Sequence, residues 1–161
     1  MSMKIDGWTV EKALQVALTM EHGAMKLYTD AQKKVKNPGS KQLHKELAID
    51  ETKHAEYFEK ALQDPKKVMD ASKVSDITRV VQDLGVSDPL KGEPLSNDAS
   101  YQDILIFAAK SEKTANEFYT ALAKQYKAHP LGKMWSEFAK MEAGHKLKLE
   151  KEYDDVVLHD N

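Results

Sequence analysis

Displaced by 91 positions, the chain overlays itself: Leu14 falls on Leu105, Ala17 on Ala108, Glu21 on Glu112, Ala24 on Ala115 and Tyr28 on Tyr119. The same displacement continues without a gap, placing Glu46 on Glu137, Ala48 on Ala139, Glu51 on Glu142 and His54 on His145. Identities that keep one register through two segments and the turn between them mean two copies of one unit, related by an approximate two-fold axis. The matched segments are rich in Ala, Leu, Lys, Glu and Gln, poor in β-branched residues, and apolar at three- and four-residue spacing, so the unit is a helical hairpin. Two hairpins with one apolar side each must close on one another, which predicts an all-α four-helix bundle.

The first helix is expected from an N-cap at Thr9 to near Val35, where Asn37-Pro38-Gly39 breaks it. The second, capped by Ser40, runs to Leu62 and stops before Pro65. The third runs from about Ser100 to Tyr126, and the fourth follows Pro130 to about Tyr153. The crossover, about 64–99, contains Pro65, Gly85, Pro89, Gly92 and Pro94. Within it Val74, Ile77, Val81 and Leu84 recur at helical spacing, predicting a short amphipathic helix capped by Ser72 or Ser75. The architecture is therefore two tight hairpins joined by one long crossover, with 1–161 forming a single domain.

What breaks the apolar stripes carries the chemistry. The first reads Val10, Leu14, Ala17, Glu21, Ala24, Tyr28, Ala31, Val35, and the second Leu43, Leu47, Glu51, His54, Phe58, Leu62. The third reads Tyr101, Leu105, Ala108, Glu112, Ala115, Tyr119, Leu122, and the fourth Leu131, Trp135, Phe138, Glu142, His145, Leu149. Each helix thus turns one carboxylate inward near its middle, and two helices add an imidazole one turn later. Four buried carboxylates repel strongly unless cations neutralise them, and two divalent ions do so completely. One Glu from each of two helices, plus Glu-x-x-His from each of the others, is the donor set of carboxylate-bridged di-iron and di-manganese bundles. Mixed oxygen and imidazole donors suit Fe, with Mn as the other candidate.

Around these six, Tyr28 and Tyr119 lie two turns beyond Glu21 and Glu112, placed to hydrogen-bond a ligand carboxylate, relay an electron, or simply pack. Asp50 can accept a proton from an imidazole on a facing helix, but its repeat partner is Met141, so the two metal positions are expected to differ. His22, His44, His129 and His159 are expected at the surface, and Met20, Met25, Met134 and Met141 as packing residues.

The segments Glu21-x-x-Ala24-x-x-Leu27-Tyr28, Glu51-Thr52-Lys53-His54, Glu112-x-x-Ala115-x-x-Phe118-Tyr119 and Glu142-Ala143-Gly144-His145 resemble the rubrerythrin branch of the ferritin-like superfamily. The resemblance implies that Glu51 and Glu142 bridge two metals, that Glu21 with His54 completes one, and that Glu112 with His145 completes the other. It implies the role of ligand-supporting tyrosines for Tyr28 and Tyr119. Two departures stand out. The sequence has no cysteine, hence no rubredoxin-type iron, disulfide or thiolate-held zinc. Ala115 stands where rubrerythrins carry an extra carboxylate, leaving the symmetric four-Glu, two-His set of bacterioferritin.

The expected activity is that of an oxidoreductase with two Fe ions per chain, reducing H2O2 or O2 with oxidation of Fe(II) and re-reduced by an external electron donor. The alternatives are ferritin-like iron storage and a metal-free interaction module. A formal net charge of −2 with interspersed signs gives no basic stripe for nucleic acid. The Met1–Trp8 start lacks a signal-peptide apolar core, and no apolar run suits a membrane span. A cytoplasmic homodimer is expected.

Overall fold

The computed structural model describes residues 8–64 and 95–158. Helix α1 spans Val10–Lys34, α2 Pro38–Gln63, α3 Tyr101–Gln125 and α4 Pro130–Glu152. A π-helical turn, Tyr153–Leu158, extends α4. Among the described residues there are no strands, and no helix is long and apolar enough to cross a membrane. Helices α1 and α2 pair as one hairpin and α3 and α4 as the other, giving the all-α four-helix bundle. The expected crossover helix over Val74–Leu84, its caps Ser72 or Ser75, and His159 lie outside the described residues.

The helix starts follow from side chains that satisfy otherwise orphaned backbone donors. Thr9 accepts from the Lys12 N–H. Ser100 accepts from the Asp103 N–H while Asp103 accepts from the Ser100 N–H, a reciprocal capping box. At α2 the cap is Asn37 rather than Ser40: its Oδ1 accepts from the N–H groups of Gly39 and Ser40. Pro38 therefore opens the helix, because its fixed φ suits the first helical position and its missing N–H costs nothing there. Ser40 is buried instead.

Two apolar clusters fill the bundle, one on either side of its midpoint. The larger is aromatic, with Trp8, Phe58, Phe118, Tyr119, Trp135 and Phe138 packed among Leu14, Leu122 and Leu131. The smaller joins Tyr28, Leu47, Leu105, Ala108 and Leu149. Burial of each large apolar side chain contributes roughly 1.5–3 kcal/mol. The methionines divide: Met20 and Met134 pack against the aromatic cluster, whereas Met141 is exposed and packs nothing into the core, a correction to its expected role. Two structural consequences of the repeat are thus in place: paired hairpins, and a level between two apolar plugs where the carboxylates sit.

Candidate metal centre

Glu21, Glu51, His54, Glu112, Glu142 and His145 all reach that level, and all are buried. Potential donor atoms of Glu21, Glu51, His54 and Glu142 lie within 4.8 Å of one another, as do those of Glu51, Glu112, Glu142 and His145. Glu51 and Glu142 belong to both groups, so they occupy the shared middle, with Glu21 and His54 on one flank and Glu112 and His145 on the other. The His54 and His145 rings are stacked nearly parallel, with centroids 6.0 Å apart. His54 Nδ1 lies 3.2 Å from Glu142 Oε1 and 3.4 Å from Glu21 Oε2. His145 Nδ1 lies 2.7 Å from Glu51 Oε1 and 3.6 Å from both Glu112 Oε1 and Glu142 Oε1.

Proximity does not give these atoms hydrogen bonds. Glu21 Oε2, both oxygens of Glu51, His54 Nδ1, Glu112 Oε2, Glu142 Oε1 and His145 Nδ1 are buried without a hydrogen-bond partner. Buried polar groups are ordinarily paired, because each unpaired one costs roughly 1–3 kcal/mol. Orphaned acceptors converging from four helices fit cations, since a divalent ion satisfies lone pairs that no protein donor reaches. The six residues therefore fit a dinuclear metal, with oxygen-rich donors of the kind iron and manganese accept.

Burial and crowding also shift the protonation of this set. Burial, reinforced by the neighbouring carboxylates, pushes the Glu51 and Glu142 carboxyls well above the ordinary carboxylate range. Burial acts in the same sense on Glu21, but the neighbouring Glu51 carboxyl and His54 ring and the hydrogen bond from Tyr119 outweigh it and hold that carboxyl low. At His145 burial favours the neutral ring, yet the nearby Glu112 and Glu142 carboxylates and the contact with Asp50 raise its pKa overall.

Three further residues fix the orientation of these donors. Tyr28 Oη donates to Glu112 Oε1 at 2.5 Å, and Tyr119 Oη donates to Glu21 Oε1 at 2.6 Å. Each tyrosine thus serves the carboxylate of the opposite hairpin and leaves that carboxylate's other oxygen free to face the cluster. Burial and the adjacent carboxylates raise both phenols well above their ordinary pKa, keeping them protonated donors. Asp50 Oδ2 lies 3.2 Å from His145 Nε2, which turns His145 Nδ1 inward. Position 141 presents an exposed Met, so His54 has no equivalent carboxylate from that position.

Access is provided between the hairpins. A cavity of about 290 Å³ opens between α1 and α3, lined by Met20, Gly23, Ala24, Leu27, Phe107, Ser111 and Ala115, with Glu21, Glu112 and Glu142 at its inner end. The small side chains Ala24 and Ala115, equivalent under the repeat, hold this gap open.

The expected surface histidines are not all at the surface. His22 is, pairing with Glu59 at 3.2 Å, and His129 is partly exposed at the N-cap of α4. His44 is fully buried, and its Nε2 lies 2.9 Å from Tyr101 Oη. Its position lies three residues before Leu47 on the inward face, and the repeat maps it onto Trp135, a core residue. That equivalence was the signal for its burial.

A four-helix bundle with carboxylates and Glu-x-x-His pairs converging between two apolar plugs fits the class of ferritin-like proteins with a carboxylate-rich metal site. The Rubrerythrin family model matches residues 12–88 and 103–161. The chain belongs to the rubrerythrin family, and its buried carboxylate and histidine cluster fits a di-iron carboxylate centre. Comparison with curated proteins and with solved structures gives no match.

Proposed function

We propose that the protein is a di-iron oxidoreductase that reduces H2O2 or O2 at this centre, using electrons from a donor outside these 161 residues. The observation that carries the reading is the convergence of orphaned carboxylate and imidazole atoms from all four helices on one buried level. Glu21 with His54 would hold one ion, Glu112 with His145 the other, and Glu51 and Glu142 would lie between them. Bound iron supplies the redox chemistry, delivering two electrons to the oxidant and polarising it.

The chain's own residues set the conditions. Tyr28 and Tyr119 hold the outer carboxylates by one oxygen each, so the other stays directed inward. Asp50 holds His145 Nε2–H, fixing the tautomer that offers Nδ1. Glu51, with both oxygens unpartnered, has the freedom to change its binding mode as charge at the centre changes. The cavity between α1 and α3 admits a small oxidant, while the aromatic wall of Phe58, Phe138 and Trp135 excludes water from the opposite side. With no cysteine in the sequence, no iron–sulfur donor is built into it.

The test is anaerobic loading with Fe(II), followed by stopped-flow mixing with H2O2 or O2. Oxidation should be fast and should leave the near-ultraviolet absorption of a bridged ferric pair. A rate no greater than that of the Glu51→Ala, Glu142→Ala double variant would sink the reading.

A further inference from the structure

The repeat that makes the six donors equivalent breaks beside the tyrosines. His44 and Trp135 are repeat partners and both are fully buried. Each packs against a tyrosine that holds a cluster carboxylate: ring centroids are 5.7 Å apart for Tyr28 and His44, and 5.8 Å for Tyr119 and Trp135. Behind Trp135 the contacts are the phenyl rings of Phe58 and Phe138. Behind His44 stands a phenol: the Tyr101 ring is 5.6 Å away, and its hydroxyl donates to Glu152 Oε2 at 2.5 Å.

The proton count orders this chain of groups. Tyr101 has one hydroxyl proton and gives it to Glu152, so at 2.9 Å it accepts from His44 Nε2–H. His44 is thereby fixed as the Nε2–H tautomer, with Nδ1 bare, buried and unpartnered. Burial lowers the His44 pKa to about 4, so the ring is neutral at physiological pH. Tyr101 opens α3 and Glu152 closes α4, both half-buried at the end of the bundle. From cluster to surface the groups run Glu112, Tyr28, His44, Tyr101, Glu152.

We propose that Tyr101 is a redox-active residue that supplies one electron to the centre through His44 and Tyr28, with Glu152 as the base that receives its phenolic proton. The proposal rests on the di-iron reading above. Reducing H2O2 to two waters takes two electrons and two protons. Where bound iron would supply only one of these electrons, Tyr101–OH supplies the other. Its O–H bond breaks, the proton passes to the Glu152 carboxylate, and a neutral phenoxyl radical remains; solvent supplies the two protons the waters need. An external one-electron reductant then restores the phenol as Glu152 returns the proton. Among the described residues the ring contacts of Tyr119 are with Phe58, Phe118, Trp135 and Phe138 rather than with a second imidazole–phenol pair, so the route is one-sided.

Freeze-quench electron paramagnetic resonance of protein loaded with substoichiometric Fe(II) and mixed with H2O2 is the test. Wild type should show a tyrosyl radical that Tyr101→Phe abolishes and that Tyr126→Phe, at the far end of α3 from Tyr101, retains. Glu152→Gln, which keeps the shape but not the basicity, should form it at least tenfold more slowly, as should His44→Phe. A radical that survives Tyr101→Phe at wild-type yield overturns the proposal, as does loss confined to Tyr126→Phe. Iron oxidised at the wild-type rate without a Tyr101 radical overturns this proposal alone, whereas iron that peroxide does not oxidise overturns the reading of the centre as well. In metal-free protein, nitrogen-15 NMR should show His44 as the Nε2–H tautomer; the opposite tautomer breaks the chain and refutes the assignment.

Discussion

Replacing both shared carboxylates, Glu51→Gln with Glu142→Gln, should change stability in opposite directions with and without metal. Glu51 and Glu142 are 0% and 2% exposed, and burial among other carboxylates holds their pKa values well up. Without metal, each therefore costs stability near neutral pH, either as a buried charge or as a proton taken up. An amide of the same shape avoids that cost and brings donors toward Glu21 and Glu112, so the metal-free variant should gain on the order of 1–3 kcal/mol. With metal the sign reverses. An ion that binds only the folded form at a hundredfold excess over its Kd contributes about 2.7 kcal/mol, so two contribute about 5. For a chain of this size that is on the order of 10–20 °C in Tm. Melting followed by circular dichroism under anaerobic conditions, with and without Fe(II) or Mn(II), should therefore show crossing orders: the variant above wild type without metal and well below it with metal. A variant that melts lower in both conditions, or that gains as much from metal as wild type, would refute the reasoning. It would mean that the carboxylates serve packing rather than cation binding.

The metal-free protein should lose stability as pH rises from the ordinary carboxylate range through neutrality. The raised folded-state pKa values of Glu51, Glu142 and His145 give contributions that are full below their ordinary values and lost as pH climbs through the folded ones, while the lowered value at Glu21 matters only in acid. Urea midpoints across that range check it, and added metal should reverse the slope because binding needs deprotonated donors. Asp50→Asn should weaken one of two ions by about 10–100-fold, through loss of the contact that orients His145. Calorimetric titration should then resolve two affinities, and equal weakening of both would contradict the geometry. Gly132→Ala should cost about 1–3 kcal/mol, since its Cβ would fall 2.3 Å from the Tyr126 carbonyl oxygen, whereas Gly144→Ala meets nothing within 4 Å and should gain about 0.5–1 kcal/mol. Thermal melts of the pair should move in opposite directions.

The six clustered carboxylates and imidazoles were legible because each stands where an apolar stripe demands a hydrocarbon, and because the repeat gives each a partner. Thr9 and Ser100 were legible as caps for a local reason, a hydroxyl placed just before a periodic run. Asn37 was misread because Pro38-Gly39 looks like a terminator, although proline is equally at home opening a helix. His44 was misread because polarity was weighed above position, when its repeat partner Trp135 already marked the site as core. The contact between Tyr101 and Glu152 joins residues 51 positions apart at the end of the bundle. No periodicity encodes it, since it depends on how the start of α3 meets the end of α4.

Duplication explains the symmetry of the centre, and the departures from symmetry share a direction. Asp50 supports His145, whereas its repeat partner Met141 is exposed. Tyr28 holds Glu112 and leads to His44, while Tyr119 holds Glu21 against an aromatic wall. Both polar departures therefore fall on the flank of Glu112 and His145, and both hydrocarbon counterparts on the flank of Glu21 and His54. A pair of ions in such a frame would be chemically distinct even with identical donors, because negative charge and proton acceptors gather behind one of them. On the proposed route through His44 and Tyr101, the flank with the acceptors is the one where electrons and protons would be exchanged with the surface. Equal donors flanked by unequal surroundings thus give the centre a direction, which an exact repeat of the hairpin could not provide.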